Sequence, residues 1–193
     1  MNRPGVNANA KAPRAVAVLP TEPADAIDRA GPADDRDVPA ITRLVNLWAE
    51  TGLTLRRREA EVRAHLGQFV VARADAESPD SDKAVAGCAA LSVVLPGLAE
   101  VRSVCVDPDR KGTGVSRRLM LALLDRAADW DVDELVLLTK EPAFFRKHGF
   151  EPVDAMRLPA AYVQRVVLEP GRTFVGKTAM RRLARAPLPA AAG

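Results

Sequence analysis

Aromatic side chains are scarce in this sequence. They make up 4% of its 193 residues, and Tyr162 is the only tyrosine. Surfaces that stack single-stranded nucleic acid need aromatic and basic residues interleaved, and no such platform is present. A net charge of +3 is too small to argue for a phosphate backbone partner. Cysteine is limited to Cys88 and Cys105, both in apolar runs, which reads as reduced core thiols. Only His65 and His148 could offer imidazole, so no metal site is expected. No run reaches the roughly 18 apolar residues of a membrane span, and no secretory-type apolar block opens the chain. The expectation is a soluble, cytoplasmic protein with neither a nucleic-acid nor a membrane partner.

What is there suffices for one domain with a core: 48% hydrophobic and 27% charged residues. The ends differ in composition. Residues 1–24 are rich in Ala, Pro and Asn, and residues 186–193 read APLPAAAG. Neither end buries enough apolar surface to offset its ordering entropy, so both are expected to be disordered tails. The folded domain is expected over residues 25–185.

Along that domain the periodicity alternates between strand and helix. AIDRA (26–30) suits a short strand. Residues 34–50 place Val38, Ile41, Leu44, Val45 and Trp48 at helical spacing behind a run of aspartates that suits a helix start. A second helix is expected over 57–66, then strands over 68–74, 83–94 and 99–107. The connections are too short for crossover helices, which predicts an antiparallel meander. PDRKGTG (108–114) then opens an amphipathic helix over 115–130, and DELVLLT (133–139) is an apolar strand of the buried type. Together these form a βαβ unit. A short helix over 142–149, a strand start at FEPV, a helix over 159–169 and a last strand over 178–184 complete a mixed α/β class.

Two glycine loops compete for a phosphate. GRTFVGKT (171–178) matches the P-loop pattern G-x-x-x-x-G-K-[ST] letter for letter. A P-loop needs a helix behind it and an acidic strand for magnesium. Here TAMRRLA alternates as a strand, and no acidic residue follows Thr178. The reading is therefore a polar turn. The earlier loop, Lys111, Gly112, Thr113, Gly114, Val115 and Ser116, follows an apolar strand and opens a long helix, where free backbone amides bind anions. Lys111, Arg117 and Arg118 add positive charge.

In that context VCVDPDRKGTGVSRRLMLALL resembles motif A of the GNAT acyltransferases, V-x-P-x-x-[RQ]-x-x-G-x-[GA], which wraps the pyrophosphate of acetyl-CoA. Lys111 stands for the usual Arg or Gln and Ser116 for the last small residue. LVLLTKEPAFFRKHGFEPV resembles the strand, short helix and GF turn that follow in the same family. The likeness spans about residues 25–185. It implies a mostly antiparallel central sheet flanked by helices in a single domain, with acetyl-CoA as co-substrate and no metal. A narrower resemblance is to short bacterial N-acetylglutamate synthases, carried by GLTLRRREAE, AGCAAL, LAEVRSVCVDP, VLLTKEPAFFRKHGF and KTAMRRL. Departures from that pattern are Arg58, Lys140 and Pro142, and a terminal motif reduced to Lys177.

The resemblance implies acetyl transfer to the α-amine of L-glutamate, the first step of arginine synthesis. Another amino acid or small amine as acceptor, or a non-catalytic acyl-CoA-binding module, are the alternatives. Members are often homodimers. Acetyl-CoA is expected along Val104, Cys105 and Val106, over Lys111 to Ser116, and beside Phe145, whose other role is core packing. Glu100 matches the family's general base, and a backbone N–H near Val104, where the family's strands splay, matches its oxyanion donor. Thr139 is the nearest hydroxyl for the leaving thiolate. A dicarboxylate acceptor calls for cations, with arginine the natural bidentate partner. Arg57, then Arg56, are the candidates, with Ser103 and Lys177 behind them. Gly176, Lys177 and Thr178 are expected to close the acceptor pocket.

Overall fold

The computed structural model describes residues 27–74 and 84–190. The polar segment 75–82, read as a loop, and residues 1–24, read as a tail, lie outside the described residues. The described strands are β1 (Ile27–Pro32), β2 (Phe69–Ala74), β3 (Val85–Leu95), β4 (Leu98–Val106), β5 (Glu134–Thr139), β6 (Glu151–Pro152) and β7 (Thr178–Leu183). They form one seven-stranded sheet in the order β1-β2-β3-β4-β5-β7-β6. All pairings are antiparallel except β4 with β5, the two strands joined through a helix. The expected meander and βαβ unit are both present.

The helices are α1 (Val38–Glu50), α2 (Glu59–Ala64), α3 (Val115–Asp129), α4 (Pro142–Arg146) and α5 (Ala160–Leu168). At the start of α1 the aspartates do more than face the dipole. The Asp34 carboxylate accepts from the Arg36 amide at 2.9 Å, and Asp37 accepts from the Asp34 amide at 2.8 Å. Asp37 also takes Arg73 of β2 at 2.5 Å, tying the helix start to the sheet. The helix expected over 57–66 is shorter, because Gly67 follows and the chain tightens into a 3-10 turn at Leu66–Gln68.

Each face of the sheet buries its own core. On one, Val115, Leu119, Met120, Leu123 and Ala127 of α3 pack on Val70, Ala72, Leu91, Val101, Leu135 and Leu137. On the other, Val38, Ile41, Leu44 and Val45 of α1 meet Phe69, Val71, Cys88 and Cys105. Farther along that face, Tyr162 and Val166 of α5 cover Leu98 and Val136. Side chains this deeply buried contribute about 1.5–3 kcal/mol each for the larger apolar residues. Gly87 on β3 lets α3 sit close, since a Cβ there would lie 2.7 Å from Val115 Cγ1 and 2.9 Å from the Cys105 carbonyl.

Residues 186–190 belong by composition to the expected C-terminal tail, yet they are placed against the body. Leu188 packs on the α3 core, and Arg117 donates to the Pro189 carbonyl at 2.7 Å.

Candidate active site

Where β4 leaves β5, the sheet opens. Parallel pairing covers Leu98↔Glu134, Ala99↔Leu135 and Glu100↔Val136 and then stops, although β4 runs on to Val106 and β5 to Thr139. A bulge drives the divergence. Against β3 the register slips between Cys88↔Cys105 and Ala90↔Arg102, and Ser103 has φ 49°, a left-handed value rare for a residue with a Cβ. The slip reverses the strand's alternation. Before it, Ala99 and Val101 face α3; after it, Val104 and Val106 do, and Cys105 faces α1. Ligands of open sheets bind beyond the carboxyl ends of parallel strands at such a divergence.

The glycine loop lies at the end of β4. Asp107 holds its start, accepting from the Asp109 amide at 3.1 Å and from Arg43 of α1 at 3.1 Å. Gly112 and Gly114 have φ of 84° and 79°, and Gly114 in that left-handed state leads directly into α3. No side chain caps α3, so its first amides face outward from a turn that Lys111 and Ser116 flank. Arg118 donates to the Thr113 carbonyl at 3.1 Å, and Thr113 Oγ1 to the Arg110 carbonyl at 2.7 Å, which fixes the loop shape. The backbone of Val106 is already used: its carbonyl accepts from Trp48 Nε1 at 2.9 Å. Phe145 packs against the α3 core, edge-on to Phe150 at 5.8 Å, so its core role is the one on display.

On the α5 side of the divergence sits a buried charge cluster. Glu100, 1% exposed, accepts from the Tyr162 hydroxyl at 2.9 Å and from both terminal nitrogens of Arg172. Arg172 also donates to Glu169 at 3.0 Å. Glu169 in turn accepts from Arg102 of β4 and, at 3.3 Å, from Arg57. Arg165 donates to Ser92 Oγ at 2.5 Å and to the Val93 carbonyl at 2.9 Å. Helical spacing puts Tyr162, Arg165 and Glu169 on the sheet side of α5 and its C-terminal end. Burial alone would raise the Glu169 carboxyl, but hydrogen bonds and charge from Arg102 and Arg172 hold it down at about 2. Burial, reinforced by the Glu100 charge, pushes the Tyr162 hydroxyl far above its ordinary value.

Beside the cluster a cavity of about 260 Å³ opens between α2, β4 and α5, with Arg57, Arg102, Ser103, Arg165 and Glu169 in its wall. Of the four residues expected to bind the acceptor, the structure brings Arg57 and Ser103 to this cavity. Asn46 of α1 fixes Arg57 by two backbone hydrogen bonds of 2.9 Å. Arg56 points away, its side chain 68% exposed and paired with Glu50 at 3.5 Å. Lys177 lies outside the cavity wall; burial first, then the charges of Arg172 and Lys140, lower its pKa. Thr139 Oγ1 accepts the Glu141 amide at 2.9 Å and so shapes the turn into α4. GRTFVGKT is indeed no P-loop: Gly171 and Gly176 both have positive φ, and the strand β7 rather than a helix follows. Its member in the charge cluster is Arg172, which the glycine pattern conceals. Tyr162, Arg102, Arg165 and Glu169 carry no motif and were legible only as parts of a helix and a strand. Among the described residues no group of three His, Cys, Asp or Glu could hold a metal ion, and no helix is long and apolar enough to cross a membrane.

This divergent β4–β5 pair with its glycine loop and covering helix defines an acyl-CoA-dependent acetyltransferase fold, and comparisons with known proteins agree. The acetyltransferase (GNAT) domain model matches residues 65–152. A curated relative from Mycobacterium tuberculosis, named amino-acid acetyltransferase, is 35% identical over 124 residues, which are 64% of this chain and 68% of the relative. The chain belongs to the GNAT acetyltransferase family, whose co-substrate is acetyl-CoA. A crystal structure of a Mycobacterium tuberculosis protein in complex with CoA is 29% identical, with TM-score 0.65 over 81% of this chain and 98% of that one. An N-acetylglutamate synthase from Neisseria gonorrhoeae, complexed with coenzyme A and N-acetyl-glutamate, shares the fold. It is 22% identical, with TM-score 0.65 over 83% of this chain and 35% of that one.

Proposed function

We propose that this protein transfers the acetyl group of acetyl-CoA to the α-amine of L-glutamate, the reaction that opens arginine synthesis. The observation that carries the reading is the arginine-walled cavity beside the β4–β5 divergence, because a dicarboxylate acceptor needs paired cations there. The names of the Mycobacterium relative and the Neisseria neighbour support it. In this reading the amine nitrogen attacks the thioester carbonyl and the carbon–sulfur bond breaks. A backbone N–H near Val104 stabilises the oxyanion. The amine proton passes to Glu100 through a water, once the acceptor draws Arg172 toward its own carboxylate. Arg57 binds a carboxylate of the acceptor. Thr139, whose oxygen is engaged but whose proton is not, faces the leaving thiolate. Lys111 to Ser116 hold the pyrophosphate.

A second reading, an amino acid with an uncharged side chain as acceptor, is favoured by Glu169, which already offers a carboxylate to Arg57, Arg102 and Arg172. Thiol release from acetyl-CoA, followed with glutamate, glutamine, aspartate and polyamines, separates the two. Saturable turnover with the highest kcat/KM for glutamate is expected. A higher value for glutamine moves the assignment to the second reading, and turnover of polyamines alone ends both.

A further inference from the structure

The two acidic residues of the cluster differ in one respect. The Glu100 side chain is 2% exposed and sealed behind Tyr162 and Arg172. The Glu169 side chain is 24% exposed and forms part of the cavity wall. It stands just past the last residue of α5, where Val167 and Leu168 are 69% and 79% exposed, so solvent lies beside it. Its three partners, Arg57, Arg102 and Arg172, come from three separate segments and converge on one carboxylate. Arg57 is anchored through its backbone, and its guanidinium has Glu169 as its hydrogen-bonded partner. Three arginines around a carboxylate that borders an open cavity form a carboxylate seat, filled by the chain itself.

We infer that Glu169 occupies the seat of an acceptor carboxylate and sets the discrimination between dicarboxylate and monocarboxylate amino acids. The inference rests on the amino-acid acceptor reading given above. With Glu169 seated, two of the three arginines in the cavity wall, Arg57 and Arg102, already share its one negative charge. A monocarboxylate acceptor meets little repulsion. A dicarboxylate acceptor must either displace Glu169 or bring a second carboxylate beside it. Displacement exchanges one carboxylate for another on the same arginines, and Glu169 then turns to solvent. Glu100 cannot make that exchange, because in the free protein Tyr162 and Arg172 cover it. Removing the Glu169 charge therefore favours the dicarboxylate over the monocarboxylate, whichever route the acceptor takes.

Titration calorimetry on the CoA-loaded protein, with L-glutamate and L-glutamine as probes, tests this. Glu169→Gln is expected to raise the ratio of glutamate to glutamine affinity by about tenfold. Glu169→Asp, which keeps the charge, is expected to leave the ratio near that of the wild type. Because both probes are measured on one protein, a general loss of stability cancels. Arg57→Gln approaches the seat from its other side, independently of how Glu169→Gln folds, and is expected to weaken glutamate more than glutamine. An unchanged ratio in Glu169→Gln or, should that variant not fold, in Arg57→Gln overturns the inference. So does the absence of binding of both probes to every folded variant. Turnover measured on the same samples reports on the acetyl-transfer reading separately. Glutamate turnover with an unchanged ratio keeps the reaction and loses the seat, whereas a shifted ratio without turnover keeps the seat and loses the reaction.

Discussion

Glu100 and His148 are both buried polar side chains, but only the first has its hydrogen bonds satisfied. Glu100 is enclosed by donors: the Tyr162 hydroxyl and the Arg172 fork. Removing one charge from such a buried pair typically costs about 3–5 kcal/mol, and here Glu169 continues to pair Arg172, so the loss in Glu100→Gln should fall toward the lower end. If Glu100 also receives the amine proton, the same variant should lower turnover by about 10²–10⁴. Thermal melts and initial rates on one preparation separate the two effects, and full turnover in a destabilised protein would leave Glu100 with a purely structural role. His148 is 6% exposed, and its Nδ1 has no hydrogen-bond partner among the described residues. Burial, and then Arg117, Arg182 and Lys147, push its pKa down from 6.5 to about 4. The unfolded chain takes up this proton near 6.5 and the folded chain only near 4, so stability falls as pH drops through that window. Glu169, held at about 2 against an ordinary 4.5, contributes stability above 4.5 that is lost as pH falls toward 2. His148→Leu is expected to flatten the first of these two losses and spare the second. Melting temperature followed across both windows checks it, and an unaltered slope between 6.5 and 4 counts against the assignment.

At the scale of elements, the β4 bulge decides what the strand presents. Ser103 adopts φ 49° where the alternation reverses, which puts Glu100 and Arg102 on the α5 side and Val104 and Val106 on the α3 side. A β-branched side chain is strained at that angle. Ser103→Val is expected to cost about 1–3 kcal/mol and to lower turnover, by shifting the register on which the divergence depends. Ser103→Gly, with no Cβ to strain, should retain stability. Urea denaturation of the pair is the measurement, and equal stability of the valine and glycine variants would show that the bulge is not under conformational strain. Helix α5 is the complementary element. Its spacing of Tyr162, Arg165, Val166 and Glu169 delivers both an apolar anchor and a charged rim to the same stretch of sheet.

For the whole molecule, periodicity and turn chemistry were enough to read nearly every element. Alternation marked the strands, 3.6-residue spacing marked α1 and α3, and Gly112 and Gly114 marked the turn into α3. Those signals are local, because each follows from how one segment divides its apolar and polar residues. The charge cluster was not legible in the same way. Arg57, Arg102, Glu169 and Arg172 are separated by up to 112 residues in their hydrogen-bonded pairs, and each taken alone resembles a solvated surface charge. Arg56 and Arg57 are neighbours in an arginine triplet, and only the tertiary structure turned one into the cavity and the other to Glu50. Sequence alone thus determined the class of fold and the place of the glycine loop, since glycines at a strand–helix junction suffice to build its turn. The tertiary structure alone decided which charges meet. Pairing energies depend on distance and burial, and neither exists until the sheet has brought β4, α5 and the Arg57 segment together.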